Sequence, residues 1–466
     1  MTEHEVRIEK DMLGSLPIPK DALWGIHSAR AMENFRLSGR RVHPALLHAF
    51  GDVKLAAARV NRRLQNWDAA LADALERACE ELRAGALDAH FLLDAVQGGA
   101  GTSTNMAVNE VLANRALQIL GRPLGDYQFI HPLNHVNLHQ STNDCYPTAL
   151  RIAAIRQLRE LERSVVELME AFQEKERAFA DVVKVGRTQL QDAVLVTLGR
   201  EMGAYAEALG RDRWRLYKCE ERLRVVTLGG TAVGTGLAAP RTYIFEVVDE
   251  LRGLCGIGVA RAENLIEATQ NADAFAEVMG LVKTLAVNLM KIAGDIRLLG
   301  SGPDAGLGEL RLPARQAGSS IMPGKVNPVI PEAVCQCAMN VLASDNAVTL
   351  ACASGNLELN PFLPVVADHL LGSADLLSRA CQMFARHCIK GLEADRQKCR
   401  SSVEGATALA TALVDRLGYE KAQDLAATAA ATGISVATLV LQHQLLTREE
   451  LDALISPEAV MRLGSK

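Results

Sequence analysis

The fifteen prolines of this 466-residue chain are spaced so unevenly that they set its fold class. They stand at 17, 19, 44, 123, 132 and 147, disappear until 240, return at 303, 313, 323, 328, 331, 361 and 364, and are absent again until 457. Proline removes a backbone donor and collides with the preceding turn, so long proline-free stretches leave room for long helices. The apolar periodicity uses that room. Ile152, Ile155, Leu158, Leu161, Val165, Leu168 and Phe172 recur every three or four positions among Arg and Glu, which predicts one amphipathic helix well beyond average length. Ser141, Thr142, Asn143 and Asp144 in "STNDCYPT" are good N-cap residues for it, and Pro147 suits its first turn. A second helix is predicted from Gly199 to Val225, and a fourth from Pro331 towards Ser354. The third, Phe275 to Leu299, is apolar on nearly every side, as expected inside a bundle or at a subunit interface.

Neither an alternating strand-helix pattern nor a tandem repeat is present, so the expected fold is mainly α. The segments divide into an N-terminal domain (1–140), a central domain holding a bundle of long helices (141–390) and a helical C-terminal domain (391–466). The composition agrees: 49% hydrophobic residues with only 4% aromatics describe an aliphatic, Ala-rich core of the kind helix-on-helix packing favours. A net charge of -5 and a pI near 6.2 provide no field that would attract nucleic acid or anionic lipid, so an anionic ligand must be held by local groups. The N-terminal "MTEHEVRIEKDMLG" lacks an apolar signal region, and no run of about 18 uncharged apolar residues occurs. The expected compartment is the cytoplasm. Ten cysteines without a C-x-x-C pair are expected to be reduced thiols, mostly buried.

Four polar segments interrupt the helical pattern: "GGAGTSTNM" (Gly98 to Met106), "HVNLHQSTND" (His135 to Asp144), "KVGRTQLQDA" (Lys184 to Ala193) and "GSSIMPGKVNP" (Gly318 to Pro328). Each places small hydroxyl or amide residues at an expected helix boundary. Any one of them reads as ordinary capping and turn chemistry. Together, Thr, Ser and Asn donors, helix N-termini and one Lys are an inventory that can hold a small carboxylate without a basic surface. Two common alternatives fail on spacing. A phosphate-binding loop needs Gly-Lys followed by Ser or Thr, four residues after the first Gly; here five residues separate Gly318 from Gly324 and Val326 follows Lys325. A Ser-x-x-Lys nucleophile needs serine at 322, which is Met322, and there is no Gly-x-Ser-x-Gly elbow. His131, His135 and His139, spaced by four, are open to a metal reading or a structural one. The intervening proline and the lack of a nearby completing carboxylate favour the structural one, so no metal site is assigned.

The last of the four segments resembles the hallmark loop of the aspartase/fumarase superfamily, GSSxMPxKVNP, and is complete here. The resemblance runs nearly end to end, through "RIEKDMLG", "GIHSARAMENF", "NEVLAN", "QSTNDCYPT", "GRTQLQDAV", "LGGTAVGTGL", "LIEATQNADAF" and "LLTREELDALI". Within that superfamily, "GRTQLQDAV", "LIEAT" and "NPVIPE" look more like aspartate ammonia-lyases than class II fumarases, which more often carry His at Gln189 and Ser at Ala100. The resemblance implies a three-domain fold and a homotetramer with sites shared between three subunits. It also implies a reaction without cofactor, in which the proton beside one carboxylate is removed and the amine or hydroxyl on the next carbon is expelled.

By resemblance Ser319 is the base. Thr102, Ser141, Thr142 and Ser320 would hold the carboxylate that becomes doubly charged, with Lys325, Asn327 and Thr188 on the other carboxylate. Asn143 and Gln189 would face the leaving amine. Gly318 and Gly324 would let the loop close, and Glu332 stands where relatives place a supporting carboxylate, or serves as an ordinary first-turn Glu. Ala107, Leu133, Asn134, Leu195, Asp304 and Pro361 depart from the family pattern. Asp304 replaces a usual Arg, a change of two charge units near the loop. The implied activity is the elimination of ammonia from L-aspartate. Its rivals are malate dehydration, a lyase for a modified aspartate, and a catalytically silent lens-type relative.

Overall fold

The computed structural model describes residues 5–462 and 464. The chain opens with a hairpin, β1 (Val6–Asp11) and β2 (Gly14–Pro19), followed by helices α1 (Ile26–Asn34), α2 (Pro44–Gln65), α3 (Ala69–Arg83), α4 (Thr102–Ile119) and α5 (Thr142–Ala178). A second hairpin, β3 (Val183–Thr188) and β4 (Gln191–Thr197), leads into α6 (Leu198–Leu223). After it come β5 (Val225–Val226), α7 (Arg241–Cys255), β6 (Ala260–Arg261), α8 (Leu265–Gln270), α9 (Asp273–Leu299), β7 (Leu310–Arg311), α10 (Val329–Ala353), α11 (Leu363–Phe384) and β8 (Glu393–Ala394). Short helices complete the chain: α12 (Arg396–Gly405), α13 (Leu409–Leu417), α14 (Tyr419–Thr432), α15 (Val436–Gln442), α16 (Arg448–Leu454) and α17 (Pro457–Met461). The strands pair two by two, β1 with β2, β3 with β4, β5 with β6 and β7 with β8, and only the β5–β6 pair is parallel.

These elements fall into two compact units, each assembled from three stretches of chain. This is a different partition from the consecutive segments 1–140, 141–390 and 391–466. The first unit holds residues up to 162, 215–284 and 340–376. In it α2 packs on α3 and α7, while α4 packs on α1 and α3. Leu46, Phe50, Val53, Leu55 and Val60 of α2 are fully buried there, each worth about 1.5–3 kcal/mol of transfer free energy. Phe50 meets Tyr146 edge-on, with ring centroids 5.8 Å apart. The second unit holds residues 163–214, 285–339 and those from 377 onward. Its aromatic core is Phe172 against Tyr205 and Phe384, at 5.6 and 6.1 Å. A separate apolar cluster of Leu409, Leu413, Leu439, Val440 and Leu451 joins the C-terminal helices. Val185 of β3 packs with Val403 and Ala406 in a smaller one.

The four expected long helices are α5, α6, α9 and α10, with two boundary differences. Pro147 is not in the first turn of α5; the helix begins at Thr142, and the proline lies inside it. The polar groups at 141–144 satisfy the early N–H groups, which lets the helix start ahead of the proline. The second helix ends at Leu223, because Val225 and Val226 leave it to pair with Ala260 and Arg261. The segment Lys184 to Ala193 is not at a helix boundary but in the β3–β4 hairpin. Val183, Val185, Val194 and Val196 flank its polar tip, and β-branched residues in alternation favour a strand. Along α9 the buried side chains recur every three or four positions from Phe275 to Leu299, while Val287 and Leu298 are exposed, so the helix is not buried on every side within one chain.

All ten cysteines are free thiols, seven of them buried. No single helix among the described residues is long and apolar enough to cross a membrane. The three histidines take separate structural roles. His131 Nδ1 accepts from the N–H groups of Leu133 and Asn134 at 3.0 and 3.3 Å, capping the turn that follows. His135 Nδ1 accepts from the His131 N–H at 2.9 Å, and His139 Nδ1 lies 2.7 Å from Asn61 Oδ1. Among the described residues no group of three or more His, Cys, Asp or Glu side chains is placed to hold a metal ion.

Candidate active site

The expected site residues lie in two groups, one in each compact unit. In the first unit two helix N-termini are brought together. Gly99, Ala100 and Gly101 all have positive φ (86, 57 and 88°) and turn the chain into α4, whose first residue, Thr102, is exposed. A Cβ on Gly101 would lie 2.3 Å from the Tyr146 ring, so only glycine fits the left-handed turn there. One turn further, Asn105 Nδ2 donates to Thr142 Oγ1 at 3.1 Å, tying the start of α4 to the start of α5. Both helices therefore direct the positive ends of their dipoles towards one region, which favours an anion.

The partners of these side chains decide what they have left to offer. Thr142 Oγ1 is occupied as an acceptor by Asn105, so its hydroxyl hydrogen is available for donation. Ser141 Oγ accepts from the Asn143 N–H at 3.2 Å, with the same consequence. Asn143 Nδ2 donates to the Ala232 carbonyl at 2.7 Å. A carbonyl can only accept, so the amide is oriented with Oδ1 free as an acceptor.

Two buried charges behind this segment escaped the sequence reading. Asp144 was recognised only as a cap, but its fully buried carboxylate accepts from the N–H groups of Ser141 (3.0 Å), Gly229 (3.2 Å) and Thr231 (3.0 Å). It staples the Ser141 segment to the "GGTAV" loop. Burial pushes its carboxyl above the ordinary aspartate value, and the backbone donors oppose that shift. Lys54, 1% exposed, donates to Asn137 Oδ1 and Gln140 Oε1, both at 3.0 Å. Asn137 Oδ1 also receives Asn105 Nδ2 and Asn109 Nδ2 at 3.1 and 3.2 Å. Burial pushes the Lys54 ammonium below the ordinary lysine value, with Cys145 and Asp144 opposing. The sequence signal was a single Lys within the apolar run "DVKLAAARV".

In the second unit, Thr188 and Gln189 stand at the tip of the β3–β4 hairpin. Thr188 pairs with Gln191, so Gln189 and Leu190 form a two-residue turn, with φ of 56 and 63°. That is the backbone of a type I′ turn, normally given to Asn and Gly. The remaining residues lie in one loop. The Gly318 N–H donates to the Lys325 carbonyl at 2.8 Å, and Asn327 Nδ2 donates to the Gly318 carbonyl at 2.7 Å, closing the loop into a ring. A Cβ on Gly318 would lie 2.4 Å from the Lys325 carbonyl oxygen. Within the ring Ser319 Oγ accepts from the N–H groups of Ile321 and Met322, at 3.2 and 3.0 Å. Ser320, Gly324 and Lys325 are exposed. Glu332 sits in the first turn of α10 with one oxygen 3.6 Å from Arg297 Nη2. Of the departures from the family pattern, Ala107 is buried in α4, whereas Leu133 and Asp304 are exposed.

The fold is mainly helical; one unit presents hydroxyl and amide donors at two helix starts, and the other a serine cradled by backbone N–H groups in a lysine-bearing loop, an inventory suited to holding a carboxylate anion. Residues 14–343 match the family model described as Lyase, and residues 409–462 match the Fumarase C C-terminus. The chain belongs to the aspartase/fumarase superfamily. It is 43% identical over 462 residues to the aspartate ammonia-lyase of Bacillus subtilis, covering 99% of this chain and 97% of that one. To the aspartate ammonia-lyase of Pseudomonas aeruginosa it is 47% identical over 455 residues, 97% of this chain and 96% of that one. A cobalt-bound fumarate lyase:delta crystallin from Brucella melitensis superposes with a TM-score of 0.93 at 46% identity, over 98% of this chain and 100% of its own. A class II fumarase from Schistosoma mansoni gives a TM-score of 0.91 at 31% identity, over 99% and 100%. The mainly-α aspartase/fumarase fold expected from the sequence is the fold observed.

Proposed function

We propose that the protein is an aspartate ammonia-lyase, a carbon–nitrogen lyase that converts L-aspartate reversibly to fumarate and ammonia. The observation that carries this reading is the cradle of Ser319, whose Oγ accepts from two backbone N–H groups. A serine is a poor base unless its oxyanion is stabilised, and preorganised peptide dipoles do that at no reorganisation cost. The Ser319 alkoxide takes the proton from the carbon beside one carboxylate, and the electron pair left behind passes into that carboxylate. Donors from Thr102, Ser141, Thr142 and Ser320 stabilise the resulting double charge. The pair then returns to form the carbon–carbon double bond as the carbon–nitrogen bond breaks, and the nitrogen leaves with its electrons. Lys325, Asn327 and Thr188 hold the second carboxylate, with Gln189 beside the amine. The free Oδ1 of Asn143 suits an ammonium group, which only donates. The identity to aspartate ammonia-lyases over nearly the whole chain supports the same reading.

We extend the proposal to a cytoplasmic homotetramer whose sites combine segments of three subunits, without a cofactor. The test is to incubate the purified protein separately with L-aspartate and L-malate and follow fumarate by its ultraviolet absorbance. Fumarate is expected from aspartate, with a loss of about 10³-fold or more in Ser319→Ala. Fumarate from malate alone would make it a hydratase, and silence with both would move the substrate to a modified aspartate or leave a silent relative.

A further inference from the structure

The hydroxyl of Thr142 helps an anion only if its hydrogen, and not a lone pair, faces the site. Inside the first unit that direction is set by buried side chains to which the proposed chemistry gives no part. The setting starts from two groups that allow no choice of role. The Lys54 ammonium can only donate, and it does so to Asn137 Oδ1 and Gln140 Oε1. The Gln140 main-chain carbonyl can only accept, and it takes Asn137 Nδ2 at 3.1 Å. The Asn137 amide is therefore fixed at both ends, its oxygen towards Lys54 and its nitrogen towards the backbone three residues on.

From Asn137 the direction passes into α4. Asn105 and Asn109, one turn apart on the same face of that helix, both face Asn137 Oδ1. Oxygen set against oxygen repels, so each amide must turn its nitrogen there, at 3.1 and 3.2 Å. The same Asn105 Nδ2 gives its second hydrogen to Thr142 Oγ1 at 3.1 Å. The arrangement leaves a mark: the Oδ1 atoms of Asn105 and Asn109 are buried and have no hydrogen-bond partner among the described residues. A buried acceptor left unpaired is destabilising, so the orientation is imposed by Asn137 and not by what the two oxygens gain. Every link lies within one unit of one chain, so none depends on how subunits assemble.

We propose that Asn105 is a positioning residue: with its amide direction imposed through Asn137, it makes Thr142 Oγ1 an acceptor on the inner side and so aims the threonine hydroxyl hydrogen at the substrate carboxylate. The kinetic consequence rests on the proposed lyase reading; the direction of the hydrogen bonds does not.

Neutron diffraction from perdeuterated crystals of the full-length protein reads the direction without substrate. The two Asn105 Nδ2 deuterons are expected on Asn137 Oδ1 and Thr142 Oγ1, with the Thr142 hydroxyl deuteron turned away from Asn105. A hydroxyl deuteron pointing at Asn105 would overturn the proposal. With L-aspartate as substrate, Thr142→Val removes the hydroxyl and is expected to lower kcat/KM about 100-fold, the loss typical of one missing oxyanion donor. Asn105→Asp keeps the shape but can only accept, so it draws the Thr142 hydrogen to itself, and a loss of about 100-fold or more is expected. The Asn105→Asp/Thr142→Val double variant is expected to lie within about three-fold of Asn105→Asp alone, because the hydroxyl is already lost to the site. Losses that multiply would overturn the proposal, since a charge or packing defect at 105 acts whether or not position 142 carries a hydroxyl. Asn105→Leu lets the hydroxyl turn freely and is expected to cost about ten-fold, with no added loss when Thr142→Val is already present. It serves if the aspartate variant does not fold, and an added loss there would count against the proposal equally. If the wild type itself fails to turn over aspartate, the lyase reading fails and the neutron map still decides this one.

Discussion

A hydroxyl acts as a base only where its anion is already provided for, and for Ser319, the proposed base, two peptide N–H groups are in place to make that provision. The turn that carries Gln189 is a different kind of preorganisation, because two residues with side chains are held in left-handed backbone that costs each of them about 1 kcal/mol. Leu190 is 71% exposed, so its side chain recovers little of that cost by packing. Leu190→Gly is therefore expected to raise stability by about 0.5 kcal/mol, seen as a higher urea midpoint. An unchanged or lower midpoint would show that the leucine packs better than its exposure implies. At this scale the sequence was most informative where side chain and backbone roles coincide. Gly318, Ser319, Lys325 and Asn327 form one contiguous ring and could be read as one loop. Asp144 and Lys54 could not, because a buried charge is defined by what surrounds it. Those surroundings come from distant segments, such as Gly229 for Asp144 and Asn137 for Lys54.

Among the elements, the long helices were legible because apolar periodicity persists over many turns, and proline spacing marks where they can run. The hairpin β3–β4 was not, since its polar tip resembles a cap and its strands are only 6 and 7 residues long. Loop junctions were also hidden. Asp94 gathers the Ser38 hydroxyl (2.6 Å) and the N–H groups of Ser38, Gly39 and Val96 at 2.8, 3.0 and 2.8 Å, joining the end of one connection to the start of another. Burial alone would push this carboxyl up, but those hydrogen bonds outweigh it and hold it at about 2, below the unfolded value of 3.8. The sign follows from linkage. The ionised native carboxylate contributes fully above pH 3.8, and the contribution is lost as pH falls through about 2. Asp94→Ala is expected to lower stability by about 1–3 kcal/mol near neutral pH, and the gap to the wild type should close on acidification from 4 to 2. A gap that stays constant over that range would remove Asp94 from the acid response.

For the whole molecule, the mainly α architecture was readable from pattern alone, but the compact units were not. Each unit collects three separated stretches of chain, and helices α5, α6, α9, α10 and α11 contribute residues to both. Nothing in local periodicity marks a boundary inside a continuous helix. The same scale governs association. Val287 on α9, Met339 and Leu350 on α10 and Trp214 on α6 are all at least half exposed, an apolar display more typical of surfaces that meet a partner. Four chains of 50.2 kDa give about 200 kDa, the mass expected by light scattering if the proposed homotetramer forms. A mass near that of one chain would reject the tetramer, and with it the sharing of sites between subunits.

The cradle of Ser319 has a consequence for heredity. Its two donors are the main-chain N–H groups of Ile321 and Met322, whose side chains are 85% and 46% exposed. A codon change at either position swaps a side chain that faces solvent and leaves the donor in place. Proline is the one residue that deletes the N–H. The support for the proposed base is therefore buffered against nearly every single substitution at the residues that supply it.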